Sequence, residues 1–139
     1  MNFETLEPLN LQTSQPPNIP TLKMHLEQFR QYCLSLPATE ETLPFDEDTL
    51  VFKVAGKMFA LANMTVFESI NLKCDPEQAI ELRERYAAVL PGYHMNKQHW
   101  NTVLIDGSIS NQLLLQWTKD SYDLVVQSLP KKLRAMHGL

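Results

Sequence analysis

One short segment of this 139-residue chain, residues 91–105, concentrates side chains that bind ligands. Its sequence is PGYHMNKQHWNTVLI, and the side chains of interest are His94, Asn96, Lys97, His99 and Trp100. Such donors hold phosphate oxygens, and an aromatic ring offers a stacking surface for a base. The segment has no nucleophile with an adjacent base and no glycine-rich phosphate loop. It therefore predicts a binding protein that is not an enzyme.

Metal and cofactor chemistry has weak support in the sequence. His94 and His99 are five residues apart, but no third ligand accompanies them. The two cysteines, Cys33 and Cys74, lack the paired spacing of a zinc site and are too few for a disulfide scaffold. We expect both thiols to be reduced and largely buried, and we predict no cofactor. A small-ligand or metal site around residues 93–101 stays open as an alternative.

Basic side chains are the second group of candidates: Lys53 and Lys73 lie on polar strand positions that we expect to share one surface, Lys57 lies beside a predicted turn, and the others lie at the C-terminal end. The whole group is Lys53, Lys57, Lys73, Lys131, Lys132 and Arg134. The chain carries 12 basic and 16 acidic residues, a formal charge of −4, so it has no general attraction for polyanions. Any nucleic-acid site must therefore be a local patch, and binding through it is expected to be weak and salt-sensitive.

The chain divides into a proline-containing tail, residues 1–19, and one domain, residues 20–139. Apolar residues at helical spacing predict a first helix from about Pro20 to Leu36. The acidic stretch from Ala38 to Asp48 reads as a solvated loop. Residues 50–54 and 57–61 flank Ala55-Gly56, which predicts a β-hairpin, with Phe52 opposite Phe59 and with Val51, Met58 and Ala60 on the other face. Residues 69–74 alternate as a third strand.

The second half of the chain predicts two more helices around a second pair of strands. Asp75-Pro76 starts a helix that we expect to reach Leu90 before Pro91-Gly92. Tyr93–Met95 and Trp100–Ile105 are the expected strands, and the last helix begins near Ser108 or Ser110 and is interrupted by Pro130. The order α-β-β-β-α-β-β-α indicates a two-layer α+β domain with an antiparallel sheet.

Location and membrane contact follow from what the sequence lacks. It has no run of about 18 apolar residues, and its N-terminus lacks the order of charges and apolar residues that marks a signal peptide. We therefore expect a cytoplasmic protein without a membrane partner.

Several collinear motifs resemble the MmcQ/YjbR family. They are YCLSLP at 32–37, PF at 44–45, DTLVFKV at 48–54, GKMFA at 56–60, INLKCDP at 70–76, PGYHMNK at 91–97, HWNTV at 99–103 and SYDLV at 121–125. The resemblance spans about residues 22–134. It implies a small α+β fold related in shape to type III secretion chaperones, whose hairpins are likened to a double wing. It also implies a DNA-binding role, and it brings no catalytic residues.

The leading hypothesis is a DNA-binding protein in which the lysines hold phosphates while His94, Asn96, His99 and Trp100 meet bases or sugars. The alternative is a protein-binding module that resembles secretion chaperones. Such a module would hold a partner strand or dimerise through an exposed apolar face formed by Val51, Met58 and Ala60.

Overall fold

The computed structural model describes residues 23–93 and 95–139, which form one antiparallel sheet with helices. The strands pair in the order β1-β2-β3-β4-β6-β5. In chain order the elements are α1 (Leu26–Ser35), β1 (Thr39–Thr42), β2 (Thr49–Val54), β3 (Lys57–Asn63), β4 (Ser69–Lys73), α2 (Pro76–Arg85), β5 (Val89–Pro91), β6 (Trp100–Leu104), α3 (Asn111–Ser128) and α4 (Lys131–Met136). The predicted α+β class and antiparallel sheet are confirmed. No described helix is long and apolar enough to span a bilayer. The proposed tail, residues 1–19, lies outside the described residues.

The main core lies between one face of the sheet and the helices. Helix α3 packs on β3, β4 and β2, while α1 packs beside it near β1. Aromatic rings meet edge to face in this layer, with centroid distances of 5.6 Å between Phe29 and Phe52 and 5.3 Å between Phe59 and Tyr122. These contacts fix the covered face, so the opposite, open face is left to the loops.

A bulge in the β2–β3 hairpin changes the expected register. Phe52 lies opposite Ala60 and Lys53 lies opposite Met58, so Phe59 is an extra residue on β3. The expected pair of Phe52 with Phe59 is therefore wrong by one residue. Because Phe59 and Ala60 both face the core, Ala60 leaves the open face and Leu61 takes its place there.

The acidic stretch after α1 contains a strand, which corrects the loop expected from Ala38 to Asp48. Residues 39–42 pair with β2 and form the edge of the sheet. Ala38 adopts a φ of +60°, which reverses the chain after α1. Arg30 on α1 then bridges Glu27 and Glu41, with Nε donating to Glu41 Oε2 at 2.9 Å. Pairing and this ion pair outweigh the polar composition that predicted a loop.

Helix and strand boundaries also differ from expectation in three places. Helix α2 ends at Arg85, and Val89–Pro91 forms β5, so Val89 and Leu90 belong to a strand rather than to the helix. The strand expected at Tyr93–Met95 is wrong for the described residues Tyr93 and Met95, which lie outside every strand. Helix α1 begins at Leu26, later than Pro20. The basic end after Pro130 is a short helix, α4. The expected caps hold, because Asp75 and Ser110 accept hydrogen bonds from the N–H groups of Gln78 and Leu113.

The Ser121 hydroxyl joins two neighbouring strands at the point where they separate. Strands β3 and β4 pair only through Ala60–Ala62 and Ile70–Leu72. Beyond this stretch Ser121 Oγ accepts from the Lys73 N–H at 2.8 Å and donates to the Phe59 carbonyl at 2.6 Å. Ser121 is fully buried, so water cannot replace either bond.

We expect Ser121→Ala to lower the free energy of unfolding by about 1–3 kcal/mol, because it leaves the buried Phe59 carbonyl and the partly buried Lys73 N–H without partners. Urea denaturation followed by circular dichroism measures the change. Ser128→Ala is the matched control, since Ser128 Oγ bonds only to the Val125 carbonyl of its own helix at an exposed position. Equal stability of the two variants would contradict the role given to Ser121.

Candidate functional site

Three of the predicted lysines converge in one groove on the open face of the sheet. This lysine groove has a volume of about 460 Å³. Its lining residues are Pro44, Phe45, Lys53, Gly56, Lys57, Met58, Lys73, Trp100 and Val125. The basic residues come from β2, β3 and β4, so three different strands supply one positive surface.

Strand alternation and the hairpin turn place these lysines together. Lys53 and Lys73 alternate with core residues of β2 and β4, so both project from the open face. Lys57 follows a two-residue turn in which Ala55 and Gly56 have φ values of +49° and +87°. Such a turn brings the chain back beside β2 within two residues. Lys73 lies opposite Trp100 in the β4–β6 register, which places the indole at the same groove.

The amines of the lysine groove have no ion pair with any residue that the structure describes. Among the described residues, no carboxylate oxygen lies within 4.0 Å of the Nζ atoms of Lys53, Lys57 or Lys73. Glu40 is the cross-strand neighbour of Lys53 in the β1–β2 register, yet the two do not pair. The groove therefore presents three lysines without a direct carboxylate contact in the described part of an acidic protein, with Glu40 as the neighbouring negative charge in the strand register.

The turn between β5 and β6 holds the second group of predicted residues, and much of it is structural. Asn96 Oδ1 accepts from the Gln98 N–H at 2.9 Å, and its carbonyl accepts from the Trp100 N–H at 2.9 Å. The His99 carbonyl accepts from the Cys74 N–H at 2.7 Å. Asn96 therefore shapes the turn with its side-chain oxygen. His94 lies outside the described residues.

Lys97 and Trp100 differ in how far they are available to a ligand. The Lys97 Nζ atom lies 5.4 Å from the centre of the exposed Tyr93 ring, and Lys97 is itself exposed. Trp100 is only 7% exposed and packs with Val51 and Leu61 in a small apolar cluster on the open face. The indole thus forms the wall of the lysine groove rather than a free stacking platform.

The basic residues of α4 are not among those that line the lysine groove. Lys131 and Lys132 are exposed, while Arg134 is half-buried and its Nε has no hydrogen-bond partner. The structure therefore brings three of the predicted basic residues into one site and leaves Lys131, Lys132 and Arg134 on a separate short helix.

The sequence analysis missed the apolar rim of the lysine groove. Pro44 and Phe45 come from the connection between β1 and β2, and the Phe45 side chain is 62% exposed. Pro44 and Phe45 lie in the middle of an acidic stretch. A large aromatic side chain is not expected in a solvated loop. An unexplained aromatic residue in a polar loop was the available signal.

The apolar face expected for a protein-binding module is not exposed. Val51 and Ala60 have no exposed surface, because Val51 belongs to the open-face cluster and the bulge turns Ala60 into the core. That docking surface is therefore wrong for Val51 and Ala60, while Met58 is half-buried and lines the lysine groove. The exposed large apolar side chains at this end of the chain's sheet are instead Leu43, Phe45, Met64 and Val66.

The two thiols are poor nucleophiles. Burial raises the pKa of the Cys33 thiol well above its usual range, and raises that of Cys74 to about 11. Both cysteines are free. Among residues 23–93 and 95–139 no group of three or more His, Cys, Asp or Glu side chains is arranged to hold a metal ion.

Similarity to known proteins now decides the family. The YjbR family model matches residues 34–124. The uncharacterised protein YbdF of Escherichia coli O157:H7 is 39% identical over 107 residues, which are 76% of this chain and 88% of YbdF. The chain belongs to the YjbR family. The uncharacterised protein YjbR of Escherichia coli K12 is 32% identical over 114 residues, which are 81% of this chain and 97% of that protein. The family resemblance found in the sequence is thus confirmed.

Solved structures of YjbR-like domains share the fold. A crystal structure of a Deinococcus radiodurans protein matches with a TM-score of 0.77 and 41% sequence identity, over 81% of this chain and 87% of that one. A Pseudomonas syringae protein matches with a TM-score of 0.62 and 30% identity, over 73% of this chain and 98% of that one. The arrangement of strands that forms the lysine groove therefore belongs to a fold seen in related proteins.

We expect Cys74 in the folded protein to react with iodoacetamide about 100-fold more slowly at pH 8 than in the urea-unfolded chain. The raised pKa lowers the thiolate fraction, and only the thiolate reacts. Because the folded pKa exceeds the unfolded value, the contribution of this thiol to stability is present below pH 9 and falls as pH rises toward 11. Mass spectrometry of the alkylated protein measures the rate.

A Cys74→Ser variant separates the slower reaction of the buried Cys33 from that of Cys74. Alkylation of Cys74 at the rate of the unfolded chain would contradict the burial effect and would mark the thiol as reactive.

Proposed function

We propose that this YjbR-family protein is a non-enzymatic, cytoplasmic DNA-binding protein that holds the phosphate backbone in the lysine groove. The observation that carries the proposal is that Lys53, Lys57 and Lys73 all line the same groove and that none of them has an ion pair among the described residues. Phosphate oxygens are the natural partners of such a cluster, because they accept from several ammonium groups at once.

The shape of the lysine groove suits a strand of nucleic acid. The hairpin turn at Ala55-Gly56 projects beside Lys57 and forms one wall, as a wing does in proteins that touch the backbone of DNA. Phe45 forms the rim and exposes most of its ring, which offers a stacking surface for a base or sugar next to the phosphates.

The expected binding is weak and strongly dependent on salt. Three phosphate contacts at about 0.9 each give a slope near −2.7 for log K against log salt on duplex DNA. The remainder of the protein is acidic and repels the same backbone, with Glu40 opposite Lys53 as the nearest example in the strand register. Affinity therefore rests on the local positive charge of the groove.

We expect binding to a fluorescein-labelled duplex to be lost in the triple variant Lys53→Gln, Lys57→Gln, Lys73→Gln. The single variant Lys57→Gln should reduce the salt slope by about 0.9. Fluorescence anisotropy at several salt concentrations measures both. The substitutions keep side-chain length and hydrogen-bonding capacity while they remove the charge.

Lys23→Gln is the matched control, because Lys23 is an exposed lysine that precedes α1 and is not among the groove-lining residues. It should bind DNA with the wild-type salt slope. The double variant Lys131→Gln, Lys132→Gln tests in addition whether α4 takes part. The proposed function would be ruled out if wild-type protein at low salt did not change the anisotropy of labelled duplex or single-stranded DNA.

A further inference from the structure

A second cavity lies on the opposite side of the sheet, between α2 and α3. This interhelix cleft has a volume of about 400 Å³, which is within the range of small-ligand sites. Its walls are apolar where Leu72, Leu82, Val103 and Trp117 contribute, and two carboxylates, Asp120 and Asp123, stand on α3. None of the basic residues of the lysine groove except Lys73 reaches its lining, and the Lys73 N–H is bonded to Ser121.

Asn101 is the feature of the interhelix cleft that lacks an explanation within the protein. It lies on β6 opposite Leu72, so its side chain faces the helix layer, and it is only 2% exposed. Its Nδ2 donates to the Ala79 carbonyl of α2 at 3.4 Å, but its Oδ1 has no hydrogen-bond partner in the part of the chain that the structure describes. A buried carbonyl oxygen without a donor costs free energy. A ligand that donates hydrogen bonds would remove this cost.

The spacing of α3 aims further acceptors into the same cleft. Trp117, Asp120, Leu124 and Gln127 are separated by three or four residues and share one stripe of the helix. Among the described residues Asp120 accepts only from the neutral amide of Gln116, at 2.9 Å, and its carboxylate has no cationic partner there. Asp123 is paired with Lys119 at 2.8 Å. The acceptors of Asn101 and Asp120 are therefore the ones left for a ligand.

We propose that the interhelix cleft binds a small aliphatic cation, an ammonium or guanidinium group on a short hydrocarbon chain. The cationic group donates to Asn101 Oδ1 and to the Asp120 carboxylate, and the hydrocarbon chain packs on Leu82 and Trp117. Arg83 of α2 does not compete for these acceptors, because it donates to the carbonyls of Ala79 and Lys97. This site is separate from the lysine groove and takes a ligand of the opposite charge.

Titration of the ¹⁵N-labelled full chain with agmatine tests the proposal. We expect saturable shifts of the Asn101 side-chain amide and the Trp117 indole N–H, while the Trp100 indole N–H, in the lysine groove, does not move. Butyrate, an anion of similar chain length, should give no shift. Absence of saturable shifts at about 10 mM agmatine would overturn the proposal, since this bounds the affinity below a useful value.

Asp120→Asn should weaken agmatine binding about tenfold, because the charge-assisted bond becomes a neutral one. Asp106→Asn removes the same charge from an exposed loop and should leave the affinity unchanged. Equal weakening by the two variants, or none by either, would count against the site. Asn101→Leu removes the Oδ1 acceptor. If this buried substitution disturbs folding, Asp120→Asn still tests the site. The Asp120→Asn variant should bind DNA as the wild type does. Failure of the cleft to bind agmatine is therefore distinguishable from failure of the lysine groove to bind DNA.

Discussion

The hydroxyl of Ser121 holds the sheet together at the one place where its middle strands part. Phe59 bulges out of the β2–β3 ladder, and the Phe59 carbonyl then lacks a strand partner on β4. Ser121 Oγ reaches down from α3 and fills the position that a peptide group would occupy. Because β3 and β4 separate here, the lysine groove extends inward as far as Val125 on the helix. The bulge, the serine and the groove are thus one structural unit.

The same unit explains how an acidic protein presents a positive site. Lys53 and Lys73 stand on either side of the gap, and Lys57 stands at the turn just before the bulge. The ion pairs of the described residues join Arg30 with Glu27 and Glu41, and Lys119 with Asp123, so they leave these three lysines without a partner. Charge separation of this kind gives a local field that the formal charge of −4 does not reveal.

Much of this architecture follows from local sequence signals, and the exceptions have physical causes. The turn at Ala55-Gly56, the cap at Asp75 and the alternation of β4 are encoded within a few residues, and all three were predictable. The bulge was not, because Phe59 and Ala60 are both apolar and either can face a core. The strand at Thr39–Thr42 was missed because its stability comes from pairing with β2, which composition does not report.

The candidate site shows the same division between local and long-range information. Lys53 and Lys73 were predicted to share a surface, because strand alternation alone places them there. The burial of Trp100 and the exposure of Phe45 depend on how distant loops pack. The sequence analysis therefore assigned a base contact to the buried Trp100 and no role to the exposed Phe45. Asn101 gave no signal, since an orphaned oxygen is recognised only when every neighbouring donor has a position.

The two outer strands of the sheet have a consequence for how this protein meets other chains. β1 carries Glu40 and Glu41, and β5 has only three residues and ends in Pro91, which has no amide hydrogen to give. The charges of β1 disfavour pairing with a strand of another chain at one edge of the sheet. The short length of β5 and its terminal proline disfavour it at the other edge. Addition of a strand from another chain, and the fibril formation that follows from it, are therefore disfavoured. Contacts with other chains are left to side chains.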